Sequence, residues 1–131
     1  MSQPSAAEPA RVLIVDDEAG VRGFVDRTLR EAGYVTATAA DGPDALRVAE
    51  TFGAFDLLLT DLRMPTMNGD VLARTIRQRT PNVKVLYLTG FSDQLFGEKH
   101  ALGEGEAFLD KPASVKGLLE AVSLLLTGAI P

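Results

Sequence analysis

Along most of this chain, short apolar runs rich in β-branched residues alternate with stretches whose apolar residues recur every three or four positions. The runs fall at residues 11–16 (RVLIVD), 34–39 (YVTATA), 55–60 (FDLLLT), 83–88 (VKVLYL) and 107–109 (AFL). VLIV and LLL are continuous rather than alternating, the pattern of parallel strands covered on both faces. The second run is small and half polar, which suits an edge.

The intervals read as helices. Val21, Phe24, Val25, Leu29 and Ala32 line one stripe, and Gly33 follows as a stop. Asp41-Gly-Pro-Asp opens a second helix, with Pro43 near its first position and Asp44 at the positive end of the dipole. Its apolar positions are Ala45, Val48, Ala49 and Phe52. A third helix over 69–79 carries Val71, Leu72 and Ile76 and stops before Pro81. In the last, Val115, Leu118, Leu119, Val122, Leu125 and Leu126 form a stripe that Gly128 ends. Residues 92–105 read as a short, frayed fourth helix, because Gly97, Gly103 and Gly105 each cost about 1 kcal/mol relative to Ala. Five strands alternating with five helices predict right-handed βαβ units and a doubly wound parallel α/β sheet. The small, polar, Pro-punctuated start reads as a disordered tail over 1–9, leaving one domain over 10–128 and a short tail at 129–131.

Composition narrows the chemistry. The chain of 131 residues has room for one domain. It has no cysteine, which removes disulfides, thiolate metal sites and thiol catalysis, and its single histidine cannot build a His-rich metal site. Thirteen basic against 18 acidic residues leave a net charge of −5, which argues against a nucleic-acid surface. No apolar run approaches the ~20 residues of a membrane helix and no signal peptide opens the chain, so the expectation is a cytoplasmic protein without a membrane partner.

In a doubly wound sheet the chemistry gathers at the carboxyl ends of the strands. The first strand ends in Asp16-Asp17-Glu18, the third in Asp61, the fourth in Thr89 and the fifth in Asp110-Lys111-Pro112. Taken singly, these residues have plain readings: acids as helix caps, Asn68-Gly69 as a helix start, Lys111 as a surface lysine. Together they predict carboxylates, a hydroxyl and an ammonium on one rim. Crowded carboxylates need a proton or a cation between them, and an all-oxygen set selects Mg²⁺, Ca²⁺ or Mn²⁺. One carboxylate left over can act as a nucleophile toward phosphorus.

At these residues the sequence resembles the receiver domain of two-component response regulators, over roughly residues 10–128. The matching motifs, in order, are Asp16-Asp17, Asp61-Leu-Arg-Met-Pro-Thr-Met-Asn-Gly69, Thr89-Gly90 and Lys111-Pro112. The resemblance implies a flavodoxin-like (βα)5 fold with strand order 2-1-3-4-5. It implies that Asp61 accepts a phosphoryl group from a phosphohistidine on a sensor histidine kinase or phosphotransfer protein. Mg²⁺ would be the cofactor, held by Asp16, Asp17, Asp61 and the backbone carbonyl of Arg63. Lys111 would pair with the phosphoryl group, or with Asp61 beforehand, and a cis Pro112 would orient it. The Thr89 hydroxyl would swing to a phosphoryl oxygen, and Phe108, which stands where many relatives carry Tyr, would turn inward behind it. Gly90 would leave room beside the phosphoryl site. Arg63 and Phe91, two residues beyond Asp61 and Thr89, are expected to slow or reshape water attack on the acyl phosphate.

The function expected is a phosphorylatable signalling module, catalysing only its own phosphorylation and dephosphorylation. With no output domain attached, its output would reach a downstream protein target through the fourth predicted helix, the fifth strand and the last helix, as a monomer or weak dimer. The glycines around the fourth helix suit a mobile output face. Alternatives are the receiver portion of a hybrid histidine kinase, which VLYLTGFSD and FLDKP resemble, or a phosphorelay intermediate. An Asp-nucleophile phosphohydrolase of the haloacid-dehalogenase type would carry a second acid where Arg63 stands. A receiver-like module that takes no phosphate would typically lack Asp61 or Lys111.

Overall fold

In the computed structural model, which describes residues 8–90 and 105–129, the apolar runs become β1 (Arg11–Val15), β2 (Val35–Ala39), β3 (Leu57–Asp61), β4 (Lys84–Thr89) and β5 (Glu106–Asp110). All pair in parallel, in the order β2-β1-β3-β4-β5, so the half-polar β2 does lie at an edge. Among the described residues there are four helices: α1 (Ala19–Glu31), α2 (Gly42–Phe52) and α3 (Gly69–Arg77), which cross between strands, and α4 (Val115–Thr127), which follows β5. The fourth helix expected at 92–105 falls, but for Gly105, outside the described residues, as do Phe91, residues 1–7 and residues 130–131.

Strand alternation sorts the core into two layers. Leu13, Val15, Leu58, Val85 and Tyr87 face α2 and α3, where Ala45, Leu72 and Ile76 meet them. Val12, Ile14, Leu57, Leu59, Leu86 and Leu88 face Val25 and Leu29 of α1 and Leu118 and Val122 of α4. Both faces of the central strands are thereby covered, and each buried Leu contributes about 1.5–3 kcal/mol.

Several expected details differ. Val115 is 51% exposed and Val71 38%. Val115 opens α4 beyond the sheet rim, and Val71 sits one residue to the solvent side of buried Leu72. Ala32, expected on the stripe of α1, is exposed because the helix ends at Glu31 and the chain turns at Gly33, with φ 101°. Helix α3 stops at Arg77 rather than Arg79, and the N–H groups of Gln78 and Arg79 turn back onto Thr75 and Ile76.

The end of the sheet remote from the strand C-termini is fastened by Arg11. Its N–H donates to Asp56 (2.9 Å), its Nε to the carbonyl of Ala54 (2.8 Å) and an Nη to that of Phe52. Its guanidinium also lies 4.2 Å from the Phe52 ring centroid. Helix α2 has no basic residue in its last turn, and Arg11 supplies the cation its C-terminus favours. At the other end of α2, Asp41 accepts from the Asp44 N–H (2.9 Å) while Asp44 accepts from the Ala40 N–H (3.1 Å).

Candidate functional site

Three strands aim one group each at a common point. Ile14, Leu59 and Leu109 belong to the layer facing α1 and α4. Two residues further on, Asp16, Asp61 and Lys111 emerge on that same side at the C-terminal rim. The Lys111 Nζ lies 2.8 Å from Glu18 Oε1, 3.1 Å from Asp16 Oδ2 and 3.3 Å from Asp61 Oδ2. Asp16 and Asp61 are buried and Lys111 is largely so, whereas Glu18 is exposed.

Local hydrogen bonds hold each group. Asp16 Oδ1 accepts from the Glu18 N–H (2.8 Å), and its main-chain carbonyl accepts from Arg22 (2.7 Å). Turn chemistry and site chemistry thus share this carboxylate. The Lys111 N–H donates to the Thr89 carbonyl (3.0 Å), and the Lys111–Pro112 peptide is cis. The Arg63 N–H donates to the Asp61 carboxylate. The loop that follows Asp61 is rooted by buried Leu62 and Met64 and closed by the Gly69 N–H on the Leu62 carbonyl (2.7 Å). A Cβ at Gly69 would lie 2.2 Å from the Asp61 carbonyl oxygen, so this closure admits only glycine.

Burial raises the Asp61 pKa from the usual 3.8 to about 6, and the Asp16 charge adds to the rise, while Lys111 and the Arg63 N–H hold it down. Asp16 is also pushed up by burial, against the pull of the Glu18 N–H and Lys111. Burial works against the Lys111 ammonium, but hydrogen bonds to Glu18 and Asp16 and the charges of Asp16 and Asp61 outweigh it, so its pKa rises. Glu18 is held below its usual value by its hydrogen bond to Lys111.

The other expected residues fall as follows. Thr89 is fully buried at the end of β4, and alternation puts it on the Tyr87 side of the sheet, beside Leu88, the register partner of Asp61. Phe108 is half-buried in that same layer, its ring centroid 5.2 Å from that of Tyr87. A Cβ at Gly90 would meet nothing within 4 Å among the described residues. The Arg63 side chain is exposed. Asp17 is exposed and stands outside the acid cluster, which consists of Asp16, Glu18 and Asp61. Glu18 carried no role in the sequence reading. The available signal was its place two residues after Asp16, on the last residue before a helix.

The donor set suits a hard divalent cation. Ligand atoms of Asp16, Glu18 and Asp61 lie within 4.8 Å of one another, and all are oxygens. Asp16 Oδ2 is buried, and its partner among the described residues is the Lys111 ammonium at 3.1 Å, which it shares with Glu18 and Asp61. Three acids that share one ammonium are a set whose remaining charge Mg²⁺ would satisfy.

The family model for the "Response regulator receiver domain" matches residues 12–123. The chain is a response regulator receiver domain. Over 118 residues it is 35% identical to the sensor kinase CckA of Brucella abortus, covering 89% of this chain but only 12% of that protein. The response regulator receiver protein CpdR of the same organism is 31% identical over 120 residues, 91% of this chain and 98% of that one. The solved structure of chemotaxis protein CheY4 of Vibrio cholerae superposes with a TM-score of 0.77 at 32% identity, covering 91% of this receiver and all of CheY4. The receiver's sheet order is thus that of a CheY-like fold. No helix among its described residues is long and apolar enough to cross a membrane.

Proposed function

We propose that this receiver, spanning residues 10–128, takes a phosphoryl group onto Asp61 from a phosphohistidine of a sensor histidine kinase or phosphotransfer protein. A carboxylate oxygen of Asp61 attacks the phosphorus, the P–N bond breaks, and its electron pair leaves on the imidazole nitrogen. Asp16, Asp17, Asp61 and the carbonyl of Arg63 would hold Mg²⁺, with Glu18 as a further acid on the same turn. When bound, the ion neutralises phosphoryl oxygens and relieves repulsion among the carboxylates. Lys111 exchanges its carboxylate partners for a phosphoryl oxygen. The Thr89 hydroxyl donates to another, Phe108 follows it inward, and Gly90 leaves the approach open. Arg63 and Phe91, which follow Asp61 and Thr89 by two residues in the sequence, limit water attack on the acyl phosphate. The signal passes to a downstream protein through β5 and α4.

The observation that supports this reading is the contact of one ammonium with Asp16 and Asp61 at 3.1 and 3.3 Å, in a buried pit at the strand C-termini. Beside it, a cavity of about 500 Å³ lined by Val21, Phe24, Leu88, Pro112 and Ala113 offers apolar surface to a docking donor protein. The likeness to CckA, named as a sensor kinase, favours a second reading as a hybrid-kinase receiver, and CpdR favours a free-standing one. Incubation with Mg²⁺ and acetyl phosphate, followed by intact-mass measurement, tests the chemistry. One added phosphoryl group, absent in Asp61→Asn and in EDTA, is expected. Continuous release of inorganic phosphate without a modified protein would replace it with a hydrolase, and no uptake would leave a binding module.

A further inference from the structure

The β2–α2 junction contributes no group to the cluster of Asp16, Glu18, Asp61 and Lys111, yet it meets the loop between β3 and α3. Gly42, the first residue of α2, is buried, and a Cβ there would lie 2.7 Å from both the Cβ and the Sδ of Met67 and 3.0 Å from its Cγ. Approaches under 3.0 Å involving a Cβ, rather than only the far end of a side chain, cannot be relieved by a rotamer change alone. Met67 packs into the layer containing Leu62, Met64 and Ala45, so its path of retreat is restricted. Helix α2 is itself fixed at this end by the reciprocal Asp41 and Asp44 hydrogen bonds, so the loop would have to give way.

We infer that Gly42 is a positioning residue of the phosphoacceptor loop. By leaving a notch for Met67, it sets how closely residues 62–68 lie over Asp61, and with them the Arg63 main chain. The loop is then seated at two places. Gly69 closes its base against the Asp61 carbonyl, and Gly42 receives its far side. Between them lies Arg63, whose N–H reaches the Asp61 carboxylate. Displacing Met67 outward would carry the Arg63 N–H and carbonyl with it. The inference rests on the proposed phosphoryl and Mg²⁺ chemistry only for its functional consequence; the loop placement itself is read from backbone signals.

The test uses the full chain as Gly42→Ala, Met67→Gly and the double variant, since Met67→Gly removes all three atoms that a Cβ at Gly42 would meet. Three quantities are measured: ¹⁵N–¹H positions of Arg63 and Gly69 without metal, Mg²⁺ affinity by calorimetry, and the acetyl phosphate reaction at subsaturating Mg²⁺. Gly42→Ala is expected to shift both amides and to weaken Mg²⁺ binding at least fivefold, with phosphorylation slowed in proportion at low Mg²⁺. The double variant should bind Mg²⁺ at least threefold more tightly than Gly42→Ala and return both amides toward their wild-type positions. Unchanged amides in a folded Gly42→Ala, or a double variant no better than Gly42→Ala, would overturn the inference. If Gly42→Ala does not fold, the double variant decides: a folded double variant with both amides near their wild-type positions upholds the notch, and a double variant that also fails to fold overturns it. Shifted amides that the double variant restores, in a protein whose wild type takes up no phosphoryl, would uphold the loop placement and refute the phosphoacceptor reading instead.

Discussion

Replacing the buried Asp61 by Asn should make the metal-free protein more stable. In the folded state burial and the Asp16 charge lift the Asp61 pKa from 3.8 to about 6, so the native state holds this proton more tightly than the unfolded chain. Raising the pH through that interval therefore removes stability, and the loss is complete above about pH 6. At ~1.4 kcal/mol per tenfold, the penalty at pH 7.5 comes to about 3 kcal/mol. Asparagine mimics the neutral carboxyl imperfectly and leaves Lys111 to Asp16 and Glu18, so a gain of about 1–3 kcal/mol is expected. Urea unfolding in EDTA at pH 7.5 and 4.5 measures it. By pH 4.5 the advantage should fall to about a third, because the native carboxyl is then mostly protonated. An Asp61→Asn protein no more stable than wild type at pH 7.5, or one whose advantage is the same at both pH values, would refute the account of Asp61 as an ionised group kept in an unfavourable place.

Gly69→Ala should cost at least about 2 kcal/mol in urea unfolding, since its Cβ would meet a main-chain oxygen at 2.2 Å, and should also weaken Mg²⁺ binding; near-wild-type values would deny the loop closure. Arg11→Ala removes two side-chain hydrogen bonds and a ring contact at the opposite end of the sheet, so a loss of about 1–3 kcal/mol is expected with the acetyl phosphate reaction unchanged. Lys111→Met should carry the Asp61 titration in metal-free protein upward from about 6, followed by carboxyl ¹³C shifts against pH, because the ammonium holds that pKa down. Leu59→Ala, at a nearly solvent-free core position, should cost about 2–5 kcal/mol by urea unfolding and loosen Asp61, two residues along the same strand.

Much of this architecture was legible because the strands are unmixed. Four consecutive apolar residues in VLIV leave no face for water, and Val12 to Val15 are fully buried. With both faces committed, the polar residues that follow each run had to fall near the rim, which is why Asp16, Asp61 and Lys111 could be singled out. What escaped depends on short-range geometry that residue types do not encode. The turn in which Asp16 accepts the Glu18 N–H brings Glu18 to Lys111 and leaves Asp17 facing solvent. Val71 and Val115 obey the helical period but are only partly covered, because the period records angle around a helix and says nothing of where the sheet beneath it stops. Gly42 read as part of a helix start, and its second role depends on a loop distant in sequence.

Asp16, Asp61 and Lys111 each stand two positions past a core side chain of the same layer, namely Ile14, Leu59 and Leu109. An inserted or deleted residue inside any of these three strands would turn its polar group through half a rotation into the opposite layer, with composition and apolar content scarcely altered. Evolution of this chain is therefore free to vary the connections at the Arg11 end of the sheet, while the count from each core residue to its reactive neighbour must stay even.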